Sequence, residues 1–353
     1  MSADKSDMKT VSLDTFIARA AESPLALARL AGILFNIGDK PRARAVALQA
    51  LAAAPNDPEV KSRTADVLSN GVPNWHFRIV RDQARNAAYE AALQRSVTSQ
   101  TKVLEIGTGT GILAMMAARA GAEQVVACEM MPAIAETAQD IVARNGFADR
   151  VQVVAKKSTD LYAEADLGGP ADLLVSEIIS NNMLGQDVLP ITEHAVKELL
   201  RPGAKVIPAR GVVRVALARD AELRPLDTIA GFDLSPFNRL AADPRLVERG
   251  ARRLTLLSAP ADLFIFDFQS GGPFPAATAT ATVSSTGGQA NGIAQWIALQ
   301  MDDTGWYENN PVPGSSSAWG VLFWPLVSPR DCPAETAVTI WGSHDRHRLR
   351  IWA

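Results

Sequence analysis

The stretch Val103-Leu-Glu-Ile-Gly-Thr-Gly-Thr-Gly-Ile-Leu113 decides the fold. It reads as a buried strand, a loop with glycine at 107, 109 and 111, and then the helical run Leu113-Ala-Met-Met-Ala-Ala-Arg-Ala120. Glycine lets the backbone turn sharply and lie against a ligand with no side chain between. Glu105 sits inside the strand, and a carboxylate has no reason to enter a core unless something binds it. A second strand, Gln124-Val-Val-Ala-Cys-Glu129, ends in a carboxylate placed to accept both ribose hydroxyls of a nucleoside.

Two nucleoside cofactors suit a strand, a glycine loop and a helix in this order. A dinucleotide site prefers G-x-G-x-x-G, because the helix N-terminus must meet a pyrophosphate. Here the sixth position is Ile112, and the pattern is E-x-G-x-G-x-G with the acid ahead of the first glycine. That acid can receive the ammonium of a methionine moiety, so the sequence predicts S-adenosylmethionine, with Glu105, Gly107, Thr108, Gly109, Gly111 and Glu129 forming its site.

The surrounding composition narrows the class. The chain has 353 residues, enough for two or three domains, and 47% hydrophobic against 21% charged residues is ordinary for a globular protein. The apolar runs are too short for a membrane span and Met1-Ser-Ala-Asp-Lys5 lacks a signal-peptide pattern, so no membrane partner and a cytoplasmic location are expected. A net charge of −3 argues against nucleic acid and is compatible with a basic substrate. Cys128 reads as a buried thiol and Cys332 lies far from it in sequence. His344 and His347 read as solvated turn residues, and no metal site is expected.

Along the chain, residues 24 to 57 carry a helical-hairpin pattern. Leu25, Leu27, Leu30, Leu34 and Phe35 precede a Gly38-Asp39 turn. Ala43, Ala45, Ala47, Leu48 and Leu51 follow, and Pro55-Asn56 ends the second helix. The segment 1–72 resembles one tetratricopeptide repeat, either as a docking element or as a helical cap. Residues 78 to 96 predict one amphipathic helix. Strands are expected at 102–106, 124–129, 151–155 and 171–176, and helices at 112–121, 132–145 and 188–200, the last closed by Pro202-Gly203. From 208 to 353 short β-rich runs between glycine and proline turns predict a sandwich or barrel. An insert at about 221–252 mixes apolar and charged residues and looks partly helical.

A Rossmann-like half (73–207) followed by a β-barrel half (208–353) resembles the protein arginine methyltransferases. Asp82-Gln-Ala-Arg85 with Tyr89 is similar to that family's N-terminal helix, which implies that Arg85 holds the cofactor carboxylate. Lys156-Lys-Ser-Thr-Asp160 resembles the segment beside the adenine and implies Ser158 and Thr159 there. Leu174-Val-Ser-Glu177 resembles the start of the loop carrying paired glutamates, Ile207-Pro-Ala-Arg210 the domain junction, and Ser317-Ala-Trp319 the Thr-His-Trp loop. Gly231-Phe-Asp-Leu-Ser235 resembles the dimerisation arm, which implies a homodimer through the 221–252 segment.

The resemblance implies methyl transfer to arginine of a protein or peptide. A guanidinium is a poor nucleophile, because its charge is delocalised and its pKa too high for deprotonation at pH 7. Two carboxylates orient it and draw positive charge away from the attacking nitrogen. Glu177 stands where the first belongs. At the second position the chain has Gln186, with Asp187 next to it, so either completes the clamp. The family's histidine is Ala318 here, its aromatic Y-F-x-x-Y segment is replaced by Trp75-His-Phe77, and Trp319 either walls the acceptor channel by stacking on a planar cation or belongs to the barrel core. A different nitrogen acceptor, a small-molecule acceptor and a non-catalytic binding role remain the alternatives.

Overall fold

The computed structural model describes residues 17, 20, 22–241, 244–247, 253–312 and 317–353. Residues 1–16 of the expected N-terminal segment, and 242–243 and 248–252 of the expected arm, lie outside the described residues. The chain divides into two compact units, Met1–Asn74 and Trp75–Ala353.

The first unit includes the helices α1 (Pro24–Asn36), α2 (Lys40–Ala53) and α3 (Pro58–Ser69). Each opens the same way. Ser23, Asp39 and Asp57 precede them and accept hydrogen bonds from first-turn N–H groups, and a proline sits at the first or second helical position. Leu27, Ala31, Leu34, Ala43, Ala47, Ala50, Val60 and Val67 form the core. The hairpin pattern thus extends to a third helix, because Asp57-Pro58 restarts the chain where Pro55-Asn56 stops it.

The second unit begins with α4 (Trp75–Ile79) and α5 (Gln83–Ser96). The single helix expected over 78–96 is therefore two. Asp82 breaks it by capping α5, its side chain accepting from the Arg85 N–H. There follow β1 (Lys102–Ile106), α6 (Ile112–Arg119), β2 (Gln124–Cys128), α7 (Pro132–Arg144), β3 (Val151–Val154), α8 (Ala163–Leu167), β4 (Ala171–Ser176), α9 (Val188–His194) and β5 (Leu200–Ile207). The five strands form a parallel sheet in the order β3-β2-β1-β4-β5. Its strand order reverses between β1 and β4, so the crevice beyond their C-terminal ends is the natural ligand position. The expected stop at Pro202-Gly203 is not a helix end. A π-turn over Ala195–Leu199 leads directly into β5, and residues between Leu200 and Lys205 bulge where the β4–β5 register shifts.

The remaining chain forms β6 (Arg210–Asp220), β7 (Thr228–Ile229), β8 (Phe232–Asp233), β9 (Arg245–Val247), β10 (Leu254–Leu256), β11 (Ala261–Asp267), β12 (Ala277–Ser284), β13 (Gly288–Gln300), β14 (Trp306–Glu308), β15 (Val321–Cys332), β16 (Ala337–His344) and β17 (Leu349–Trp352). One sheet runs β10-β6-β13-β15-β9, with β11 on β6 and β14 on β13; a second runs β12-β16-β17. Together they make the β-barrel half. One continuous apolar core joins the barrel to the parallel sheet, from Leu104, Val126 and Leu174 to Val213, Ile297 and Ile340. Among the described residues of the insert, β7 and β8 form a small hairpin, followed by a 3-10 turn over Ser235–Leu240.

His344 departs from its expected place in a solvated turn. It closes β16, is buried, and meets Phe264 and Phe266 edge-on at ring distances of 4.8 and 5.3 Å. That burial lowers its pKa. His347 is the exposed member of the pair. Cys128 and Cys332 are both buried thiols. Among the described residues no helix is long and apolar enough to cross a membrane, and no cluster of His, Cys, Asp or Glu is arranged to hold a metal.

Candidate active site

The glycine loop leaves β1 in left-handed conformations at Gly107, Gly109 and Gly111, with φ of 79°, 54° and 79°. A Cβ on Gly107 would lie 2.6 Å from Ile178 Cγ2, so the loop closes against the segment leaving β4 only because this residue has no side chain. Across the loop lies α4, with the His76 ring 3.9 Å from where a Gly109 Cβ would stand. Trp75-His-Phe77 therefore does occupy a place over the loop, with Trp75 and His76 stacked at 3.8 Å.

Glu105 is 1% exposed and accepts a hydrogen bond from the Thr108 hydroxyl. Burial pushes its carboxyl up to about 8, against the lowering effects of Thr108 and Arg85. Arg85, the cation that acts on it, is paired with Glu177 instead. Glu129 closes β2 and is also buried; its two oxygens accept from the Gly109 N–H at 3.2 Å and the Met131 N–H at 3.0 Å. Ser158 is buried in a 3-10 turn, whereas Thr159 beside it is exposed.

The centre of the site is a buried ion pair. Arg85 from α5 donates from Nη2 to Glu177 Oε2 at 3.0 Å, and the two side chains are 3% and 7% exposed. Glu177 is the first residue beyond β4, next to Ser176, which is the register partner of Ile106 at the end of β1. Desolvation dominates at Glu177 and pushes its carboxyl up to about 7 although Arg85 pulls it down. Arg85 also donates from Nη1 to Asn86 Oδ1 at 2.7 Å and lies 5.1 Å over the Tyr89 ring. Tyr89 donates its hydroxyl to the Ser176 carbonyl at 3.0 Å. The Nε of Arg85 is buried and finds no hydrogen-bond partner.

These features fit the sulfonium cofactor expected from the sequence. A buried guanidinium donor without an acceptor suits a carboxylate, a buried carboxyl whose neighbouring cation is paired elsewhere suits an ammonium, and the glycine loop lets backbone approach.

The loop after Glu177 reaches Gln186 and Asp187 through a turn held by Asn182, whose Oδ1 accepts from the Leu184 and Gly185 N–H groups at 3.1 and 3.0 Å. Gln186 and Asp187 are both exposed and both left-handed, with φ of 65° and 57°. Two successive non-glycine residues there are strained. Asp187 Oδ1 is 2.7 Å from His347 Nδ1, in the turn between β16 and β17. Gln186 makes no such contact with that turn. Trp319 is 7% exposed, donates its indole N–H to the Ile179 carbonyl at 2.9 Å, and sits 5.5 Å from the Tyr307 ring.

Several site residues escaped the sequence. Asp82 accepts at Oδ2 from the Tyr307 hydroxyl at 2.7 Å and the Ala318 N–H at 2.9 Å, so the helix break it creates anchors the Ser317-Ala-Trp319 loop. Asn181 accepts from the Gly320 N–H at its side chain and from Gln295 Nε2 at its carbonyl, at 2.9 and 3.0 Å. Asp82 has a visible signal, an aspartate three residues ahead of a helical arginine. Tyr307, Asn181 and His347 have none, because their partners come from distant parts of the chain.

Comparison with known proteins follows the same division of the chain. A family model described as ribosomal protein L11 methyltransferase (PrmA) matches residues 90–213. An arginine N(omega)-methyltransferase from Streptomyces achromogenes subsp. streptozoticus is 36% identical over 295 residues, covering 81% of each chain. Protein arginine N-methyltransferase 7 from Drosophila grimshawi is 37% identical over 212 residues, covering 54% of this chain and 30% of its own. The Drosophila melanogaster counterpart is 33% identical over 250 residues, covering 64% and 36%. The chain thus spans about a third of the Drosophila relatives. Among solved structures, a Trypanosoma brucei protein arginine methyltransferase 1 enzyme–prozyme heterotetrameric complex with AdoHcy has the same fold, with a TM-score of 0.68 and 21% identity over 80% of this chain and 99% of that one. Arabidopsis thaliana protein arginine methyltransferase 10 does so with a TM-score of 0.65 and 15% identity over 78% and 90%.

Proposed function

This chain belongs to the protein arginine methyltransferase family, and on that premise we propose how it uses S-adenosylmethionine to methylate arginine guanidinium nitrogens. The buried Arg85–Glu177 pair beyond the ends of β1 and β4 carries the reading. Bound S-adenosylmethionine supplies an electrophilic methyl on sulfur. Arg85 holds its carboxylate through the unpaired Nε, Glu105 its ammonium and Glu129 its ribose, with Gly107, Thr108, Gly109 and Gly111 forming the cradle and Ser158 and Thr159 bordering the base. Glu177 grips the acceptor guanidinium. Gln186 completes the grip, since Asp187 is drawn to His347. One full carboxylate and one amide localise the guanidinium charge less than two carboxylates do. Trp319 holds the acceptor loop through Ile179 and lines its inner side.

The acceptor is an arginine in a protein or peptide. A second reading, free arginine or a small arginine-bearing molecule, is favoured by the name of the Streptomyces relative, which specifies arginine and not protein arginine. We further propose a homodimer through the arm, supported by its exposed Ile229, Phe232, Phe237 and Leu240. The enzyme works in the cytoplasm. Labelled cofactor incubated with arginine, an arginine peptide and a basic protein tests the central reading. Label is expected on a guanidinium nitrogen, and its rate of transfer is expected to fall about tenfold to a hundredfold in Glu177→Gln. Full cofactor binding with no label on any arginine overturns it.

A further inference from the structure

The barrel half carries a cleft of about 600 Å³ that the cofactor site does not use. It opens where β17, the free edge of the three-stranded sheet, faces β15. Asn182, Trp324, Pro325, Arg348, Arg350 and Trp352 line it. Among the described residues no acidic side chain lines the cleft; Asp345, in the turn before β17, lies in the adjoining cleft and is the carboxylate that acts on Arg348. The neighbouring Arg346, by contrast, is paired with Glu193. Trp324 buries its indole N–H with no hydrogen-bond partner.

The cleft borders the acceptor loop at two points. Asn182, whose Oδ1 shapes the turn to Gly185, is part of its wall. Arg348 follows His347, whose Nδ1 contacts Asp187 at 2.7 Å. A molecule held by the loop that extends past Asn182 therefore enters the cleft that Arg348 and Arg350 line. A guanidinium fork is suited to bidentate capture of a carboxylate, and the tryptophan and proline walls suit an aliphatic stem.

We propose that this cleft binds a carboxylate carried by the arginine acceptor, with Arg348 and Arg350 as its ligands. The carboxylate is that of free arginine or an acidic side chain flanking arginine in a peptide. The proposal rests on the arginine-acceptor reading above and adds a specificity determinant to it: the acceptor is recognised as a paired cation and anion.

Equilibrium binding to the protein saturated with S-adenosylhomocysteine tests this with four probes. They are L-arginine, agmatine (the same stem and guanidinium without the carboxylate), acetyl-Asp-Arg-Asp-amide and acetyl-Asn-Arg-Asn-amide. At least one carboxylate-bearing probe is expected to bind about tenfold or more tightly than its neutral counterpart, the size of a charge-assisted hydrogen bond. The pair showing the difference identifies the source of the carboxylate. Arg348→Ala with Arg350→Ala is expected to erase that preference and leave the neutral probes within about twofold, because both arginines are exposed and carry little of the core. Equal binding within both pairs, or a preference that survives the double substitution, overturns the proposal. Preferential binding without methyl transfer overturns the methylation reading and leaves the cleft assignment standing.

Discussion

Glu177 and Arg85 are joined at 3.0 Å inside the protein, yet burial leaves Glu177 at about pH 7 in its titration. The pair is thus poised and not locked. Because the carboxylate must be ionised to accept bonds from a guanidinium, acceptor kcat/KM should rise with pH through about 7 and level off above it. Glu177→Gln should lower kcat by about tenfold to a hundredfold, the worth of one charge-assisted hydrogen bond, and should flatten that limb of the profile. A rise that persists unchanged in the variant places the titration elsewhere.

Glu105 gives a second pH dependence of opposite use. Its carboxyl titrates near 8 in the folded chain and near 4.5 in an ordinary setting. A folded pKa raised in this way contributes stability below about pH 4.5 that is lost progressively as pH rises toward 8. Glu105→Gln should therefore stabilise the cofactor-free protein at pH 8 more than at pH 5, by on the order of a few kcal/mol, while weakening cofactor affinity. Binding of the ammonium should also draw a proton off Glu105 at pH 7, which calorimetry in buffers of different ionisation enthalpy measures directly. Proton release absent from wild type counts against this role.

Gln186 is the test of the weakened clamp. Gln186→Glu restores a charged acceptor without lengthening the side chain, and should raise methyl transfer to arginine by about tenfold. Asp187→Asn should change it by less than about threefold, since that carboxylate faces His347 and not the loop interior. The reverse ranking would assign the second contact to Asp187.

Gly107 can be tested through stability alone. Alanine there meets both a left-handed backbone and Ile178 at 2.6 Å. Together these should cost about 2–4 kcal/mol, read from urea denaturation of the cofactor-free protein, with cofactor binding lost at the same time. Alanine at Gly121, which is also left-handed at φ 107° but meets nothing within 4 Å, separates backbone strain from the clash.

Four of the five parallel strands were legible because each is a short apolar run and most of their turns carry glycine or proline; β5 was missed, its start read as the end of a helix. Those signals are local, and β1, α6 and β4 begin within a residue of their expected places. Glu105 stood out because a charge inside an apolar strand is conspicuous, and it is buried as that reading requires, whereas Arg85 was singled out only by the family resemblance. What failed was non-local. Asp82's second role, anchoring the Ser317-Ala-Trp319 loop, depends on Tyr307 and Ala318, which lie more than two hundred residues away. His344 looked like a turn residue because its cover, Phe264 and Phe266, belongs to another strand. The third helix of the first unit was missed for a different reason: Pro55 marks an end convincingly, and Asp57-Pro58 marks a new start only when read as a cap.

The Trp319 N–H reaching the Ile179 carbonyl, and Gln295 and Gly320 reaching Asn181, have a consequence for how this protein changes over generations. The acceptor loop is encoded in the first half of the catalytic unit, but its shape is imposed by strands encoded much later. A barrel substitution that never touches an acceptor can therefore retune what the loop will hold. Glu105, in β1, and Glu129, directly after β2, lie outside these ties. Acceptor preference is free to drift along the chain's second half while the methyl donor stays fixed.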